Sequence, residues 1–451
     1  MQNLLAEFSP INKHEWLKQI EKELKGKSID SLDWKVAENV ILKPFYLADD
    51  LKDYPNKIKI ELTQHREICE YITVLNAEKA NKRALNALMQ GANAIHFDCI
   101  NCEVSLDFFN QLLNGIRWEF ISIHFVTNLG TDFVNHLYEW CSKNNLETTE
   151  LKGSICFDVY HRELLKGFTA DEDDFKNFIL TSNKLFPNLS NLVVNATSYL
   201  NAGANVLQEL AYTTAHINEY LNLLKNSSLL NAITSITVQV AIGSSYLQEI
   251  SKLRALRILL QTVIDKYNIN NEIKINALTA TINKSHKDAY NNMLRATTEV
   301  MAAIIGGANS IAAMPYDQIT LETTEFSERI ARNIHLILSE ESYLDKVIDP
   351  AAGSYFIETL TQLLAENAWE KYCEIEESGG WKHALHNGQM INEIEKNAEK
   401  VIEEYRENKK VLIGVNKYPN KNDNELNISN DLAIATSEPN TLTEFVISSM
   451  L

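Results

Sequence analysis

Between residues 68 and 338 one pattern repeats: a short apolar run, then a longer stretch of helical period. The runs are Ile68–Thr73, Ala94–Cys99, Ile121–Val126, Ser154–Val159, Asn191–Ala196, Ile236–Ala241, Ile273–Ala280 and Ser310–Pro315. Each is strand-length and mostly apolar or β-branched, as a strand covered on both faces requires. Helical patterns follow at Asn76–Met89, Leu106–Ile116, Phe133–Ser142, Asp173–Leu185, Ala204–Leu224, Tyr246–Tyr267, Tyr290–Ile305 and Phe326–Leu338. In the last of these Phe326, Ile330, Ile334, Ile337 and Leu338 form one stripe, with Arg329 and Arg332 largely off it. Alternation repeated eight times over about 270 residues predicts an α/β protein built on a (β/α)8 TIM barrel. A doubly wound open sheet would also alternate, but no G-x-G-x-x-G follows the first run, and eight units fit closure better.

The organisation expected is an N-terminal arm over residues 1–60, a barrel over 61–345 and a C-terminal helical extension over 346–451. The arm carries a helix at Asn12–Leu24 and the extended phrase ENVILKPFYLADDL. The extension carries helices near Thr359–Ser378 and Met390–Lys409, then VLIGVNKYP and a polar tail rich in Asn and Asp. With only 15 glycines and 8 prolines in 451 residues, regular elements joined by short loops are favoured over flexible linkers. The Glu393–Glu404 stretch reads as a solvated helix face.

A formal net charge of −18 repels a phosphate backbone, so nucleic acid is not an expected partner. No run is long and apolar enough for a membrane span. The first residues match neither a secretory signal nor a basic transit peptide, and a cytoplasmic location is expected. Of the six cysteines, Cys99 and Cys102 form a C-x-x-C without the second pair that a structural zinc site needs. They read as small side chains at a strand end, and Cys69, Cys141, Cys156 and Cys373 as buried or half-buried thiols. His96 and His124, inside strands, read as hydrogen-bonded core residues. No Walker sequence, zinc motif or nucleophile elbow occurs.

From Met293 to Gly380 the chain reads MLRATTEVMAAIIGGANSIAAMPYDQ, then FSERIARNIHLILSEES, then VIDPAAGSYFIETLTQLLAENAWEKYCEIEESGG. This closely resembles the barrel of the adenosylcobalamin-dependent methylmalonyl-CoA mutase family, and the resemblance extends over nearly the whole chain. It also implies where the catalytic members' working residues would lie. Their eighth strand carries a His, an Asn and a Glu that face the cofactor; Ala312, Met314 and Gln318 stand there. Their fifth strand ends in S-G-Y-H-M-Q-E-A-G-A; NATSYLNAGA here puts Ser198 at the His. Their fourth strand reads G-T-I-Q-N-D with a substrate-contacting Arg eight residues on; GSICFD puts Cys156 at the Gln and Lys166 at the Arg. Their seventh reads R-T-H-S-Q-T-S-G; NALTATIN puts Leu278 at the His and Ala280 at the Gln. The PG-x-x-PF-x-RG and R-Q-Y-A-G motifs of the tyrosine region are absent between Tyr54 and Leu75, so Tyr71 is not assigned a catalytic role.

Serine cannot replace imidazole as a general acid at neutral pH, and lysine lacks the bidentate fork of arginine. Arg329, Arg332, Asp349, Pro350, Gly353, Ser354 and Tyr355 survive and read as scaffold: helix-surface salt bridges and a tight turn. The channel that carries the CoA chain in catalytic members is expected to be filled here by His96, Phe125 and Leu278. The family's cobalamin-binding D-x-H-x-x-G is missing; the nearest look-alike, through Ala384, His386 and Gly388, has Ala at the Asp. The roughly 40 residues after Lys410 are too few for a further α/β domain. The resemblance therefore implies a small (beta), non-catalytic subunit that binds no cofactor or metal. Its partner would be a large (alpha) subunit carrying adenosylcobalamin, as a heterodimer. The alternatives are a catalytic acyl-CoA mutase barrel using a separate cobalamin-binding protein, or an acyl-CoA-binding regulatory module.

Overall fold

The computed structural model describes residues 11–37, 39–51, 66–225, 228–320, 323–420, 427–428 and 440–451. Helix α1 (Lys13–Glu23) opens the arm; Asn12 caps it by accepting the Glu15 N–H. An antiparallel hairpin follows, β1 (Trp34–Ala37) and β2 (Val40–Leu42). Next come β3 (Glu67–Thr73), α2 (Ala77–Met89), β4 (Ala94–Asp98), α3 (Leu106–Leu112), β5 (Ser122–Val126), α4 (Thr131–Lys143) and β6 (Lys152–Cys156). Helices α5 (Val159–Lys166) and α6 (Glu172–Leu185) lead to β7 (Leu192–Asn195), α7 (Thr197–Asn201) and α8 (Val206–Leu224). Then β8 (Ile236–Ile242), α9 (Tyr246–Lys266), β9 (Ile273–Thr279), α10 (Asn291–Gly306), β10 (Ser310–Ala312) and α11 (Glu325–Leu336) complete the alternation. Three further helices follow: α12 (Tyr355–Glu377), α13 (Gly380–His386) and α14 (Gln389–Arg406). No helix among the described residues is long and apolar enough to cross a membrane.

Strands β3 to β10 form one parallel eight-stranded sheet in the order β6-β5-β4-β3-β10-β9-β8-β7. Its ends meet at a bridge between Ser154 and Ser190. There the Ile155 N–H donates to Ser190 O and the Ser190 N–H to Gly153 O, both at 3.0 Å. The result is a nearly closed (β/α)8 barrel, as the alternation predicts.

Side chains alternate across this wall. Ile72, Phe97, Ile123, Ile155, Val238 and Ile275 face outward into the helical layer. Phe125 does too, and this corrects its expected place in the channel: its ring centroid lies 5.3 Å from Phe133 and 5.8 Å from Trp118. His96 and Leu278 do face inward, beside Tyr71. The fourth run stops being strand at Cys156 because Asp158 takes the His161 N–H at 2.9 Å and caps α5, which claims Val159.

Arg332 is buried, not on the helix surface as expected. It pins α11 to β3 and α2 through Glu70 at 2.8 Å and Gln90 at 2.9 Å. Arg254 of α9 similarly holds Asp349 at 2.7 Å and Glu358 at 3.0 Å, so the 349–358 turn is tied to the barrel's outer layer. In the arm, Val40 and Leu42 are buried, whereas α1 buries no residue. Trp34 stacks on Phe356 at 6.2 Å. Residues 1–10 and 52–65 of the expected arm and barrel start lie outside the described residues. The polar-tail reading needs correction at its end: Leu442, Val446 and Ile447 are buried.

Candidate functional site at the barrel mouth

The eight positions singled out in the sequence gather at the C-terminal ends of the barrel strands, where barrel sites are built. Three apolar groups hold several of them. Leu278 and Ala312 pack inside the wall with Cys69, Ala94 and Tyr71. Cys156, the last residue of β6, packs with Val126 and Val193, and burial, reinforced by Asp158, pushes its thiol well up. Ala280, just past β9, sits in a third cluster with Ala241, Ile282, Leu412 and Ile447. Beyond β10 the Met314 N–H donates to Thr279 Oγ1 at 3.0 Å, and the Gln318 amide donates to Ala280 O at 3.3 Å.

Ser198 in α7 and Lys166 at the end of α5 belong to a polar patch. The Ser198 hydroxyl lies 2.8 Å from His161 Nε2. Glu444 lies beside them: burial raises its carboxyl, and the Ser198 hydroxyl, the Asn201 amide and the Lys166 charge pull it back down. One arrangement satisfies this set: Ser198 donates to Glu444 and accepts the Nε2–H of a neutral His161. Burial, reinforced by His216 against the pull of Asp158, holds His161 at about 4.

Asp158 accepts from Tyr220 at 2.7 Å, from the Asn195 N–H at 2.8 Å and from His216 at 3.2 Å. Burial alone would raise its carboxyl, but His216, His161 and the Asn195 N–H hold it at about 2. Asp158 meets His161 through the backbone N–H, so these residues do not line up as a serine–histidine–carboxylate relay.

Deeper along the axis, Tyr71 donates to Asp98 at 2.9 Å, and His124 bridges Ser154 and Glu67, both at 2.8 Å. Burial would raise Glu67, yet His124 with the hydroxyls of Ser122 and Ser310 holds it at about 2. His96 departs from the hydrogen-bonded expectation: its Nε2 has no partner among the described residues, nor do Gln239 Nε2 and Asn276 Nδ2. A cavity of about 460 Å³ opens at the far end of the barrel, lined by Glu67, His124, Thr237, Lys274 and Asn276.

Ala312 and Met314 offer no polar side chain, and Gln318 donates its amide to Ala280 O while its Oε1 has no partner among the described residues. No cluster of three or more potential metal ligands occurs among the described residues.

The family model described as methylmalonyl-CoA mutase matches residues 99–445. This chain belongs to the methylmalonyl-CoA mutase family. It is 30% identical to the "Methylmalonyl-CoA mutase small subunit" of Porphyromonas gingivalis over 93% of this chain and 71% of that protein. It is 29% identical to the methylmalonyl-CoA mutase of Cereibacter sphaeroides, over 89% of this chain and 64% of that one. The human mitochondrial mutase is 27% identical over 92% of this chain and 62% of its own length. The chain thus spans less than two thirds of the latter two mutases.

Within this mutase-family barrel, sequence reasoning missed His161 and Glu444. His161 had a signal, since Asp158 stands three residues before it in capping position. Glu444 had a weaker one: it sits inside TLTEFVISSM, an apolar patch within a polar stretch.

Proposed function

We propose that this chain is the small subunit of a methylmalonyl-CoA mutase: a cytoplasmic, non-catalytic barrel that binds no cofactor and supports a large subunit carrying adenosylcobalamin in a heterodimer. The holoenzyme would interconvert methylmalonyl-CoA and succinyl-CoA. One observation carries the non-catalytic reading. Ser198 occupies the position of the fifth-strand histidine, and its hydroxyl is committed to Glu444 and His161. A serine hydroxyl is too weak an acid to replace imidazole as a general acid at neutral pH. Leu278, Ala280 and Ala312 add only apolar surface. The arm supports a subunit role, because Trp16, Trp34, Ile41 and Leu47 expose apolar area on an element outside the closed barrel.

The test is an assay of methylmalonyl-CoA conversion with adenosylcobalamin, using this chain alone and co-expressed with a large subunit. The chain alone is expected to be inactive and the pair active. Turnover by this chain alone refutes the reading.

A second reading, an acyl-CoA-binding regulatory module, is favoured by the unpartnered donors of His96, Gln239 and Asn276 in the barrel lumen. Calorimetric titration with CoA esters distinguishes it: saturable heat supports a retained lumen site, and its absence supports the closed barrel.

A further inference from the structure

Residues 440–451 lie across the barrel mouth. Three backbone amides fix them there: Leu442 N–H donates to Leu164 O at 2.8 Å, Phe445 N–H to Asn201 O at 3.1 Å and Ile447 N–H to Ile282 O at 2.9 Å. Leu164 lies in α5 after β6, Asn201 ends α7 after β7, and Ile282 follows β9. The segment therefore crosses the loops beyond several strands, which is the face where a barrel admits ligands.

Side chains complete the fit. Phe445 and Ile447 join Ala241, Ala280 and Ile282 in one apolar cluster. Gly203, at φ +93°, makes room: a Cβ there would meet Ala398 at 2.6 Å and the Phe445 ring at 3.3 Å. Ser448 Oγ lies 2.9 Å from His286 Nδ1. Half-buried Glu444 lies against Ser198 and Asn201 with Lys166 nearby, and burial raises its carboxyl. Two of the residues met by this segment, Ser198 and Ala280, are positions where the side chain is smaller than the one the resemblance assigns.

We propose that residues 440–451 are an internal occupant of the barrel mouth, held by the backbone bonds to Leu164, Asn201 and Ile282, which closes the C-terminal face of the barrel to any acyl ligand. The segment does by packing what a bound ligand would otherwise do: it covers the strand ends and bonds to the loops beyond β6, β7 and β9. This does not depend on which partner the chain serves.

Hydrogen–deuterium exchange on the whole, unaltered chain tests the placement. The amides of Leu442, Phe445 and Ile447 are expected to exchange at least about 100-fold more slowly than in a free peptide of residues 440–451. Exchange at the free-peptide rate overturns the proposal. Closure is tested with a thiol at the mouth, Ser198→Cys in the whole chain, alkylated by iodoacetamide and located by mass spectrometry. Adding Phe445→Ala and Ile447→Ala to that protein is expected to raise the labelling rate at position 198 at least about tenfold, with unchanged circular dichroism showing that the fold persists. Equal rates in the two folded proteins overturn closure. If the added substitutions prevent folding, fast labelling of position 198 in the chain with Ser198→Cys alone, at the rate of a free thiol, still overturns it, and protection supports it.

Discussion

Lys284 Nζ lies 2.7 Å from Glu299 Oε2, with both side chains wholly buried. Lys284 follows β9 and Glu299 sits in α10, so the pair ties the mouth to the outer layer. Asn283 Nδ2 adds a donor to Glu299 at 2.7 Å. Removing one partner strands the other charge in the core. Glu299→Leu is expected to cost about 3–5 kcal/mol, whereas Lys284→Met with Glu299→Leu costs much less, because no charge is left behind. Urea unfolding of both variants measures the difference; equal losses would mean the pair is not coupled.

Three buried histidines should destabilise the fold in acid, against the opposing contribution of Glu209 and Glu376, whose carboxyls burial raises to about 7. Burial depresses His96 to about 3, and His161 and His335 to about 4. In the unfolded chain these rings bind protons near pH 6.5. On these rings the unfolded state takes up more protons as pH falls, so their contribution to stability is full above about 6.5 and declines toward 4. Near pH 5 each ring contributes a slope of about 1.4 kcal/mol per pH unit. The histidine contribution is isolated by substitution: the urea midpoint should fall less, or rise more, between pH 8 and pH 5 in a His96→Leu variant than in the unaltered chain, and an identical pH dependence would contradict it.

Gly153 is the one residue type its place allows. It lies in β6 with φ +128°, and a Cβ there would sit 1.8 Å from Ile123 O on β5. Gly153→Ala must break the β5–β6 ladder locally and is expected to cost about 3 kcal/mol. A thermal melt shifted by less than a degree would contradict this.

Among the six thiols, Cys102 should react first. It is half-exposed, and the hydrogen bond from Cys99 lowers its pKa, while burial raises that of Cys373, the other half-exposed cysteine. Timed alkylation at pH 7.5 with peptide mapping should label Cys102 ahead of Cys373. Cys99→Ala should slow it.

The barrel was legible because strands covered on both faces must be apolar over their whole length, and that leaves a mark in sequence without any partner being known. Which face a strand residue takes was less legible: Phe125 reads like a channel filler until its neighbours Phe133 and Trp118 are placed. Arg332 reads as a helix-surface charge because its acid, Glu70, lies on the first barrel strand and only closure brings them together. An implied loss of polar groups at Ser198, Leu278, Ala280 and Ala312 could be read residue by residue from the resemblance. What fills the space could not, because Glu444 meets Ser198 only when the end of the described chain returns to the mouth.

The sheet's two ends are joined at Ser154 and Ser190 by a bridge, where other neighbours share full ladders. A belt is weakest at its buckle, and this one has a keeper. Residues 440–451 bond to Leu164 on the β6 side and to Asn201 on the β7 side, spanning the same gap. Loosening that short strap would free the mouth and also let the cylinder begin to unroll, so the chain's last contacts are among those that keep it round.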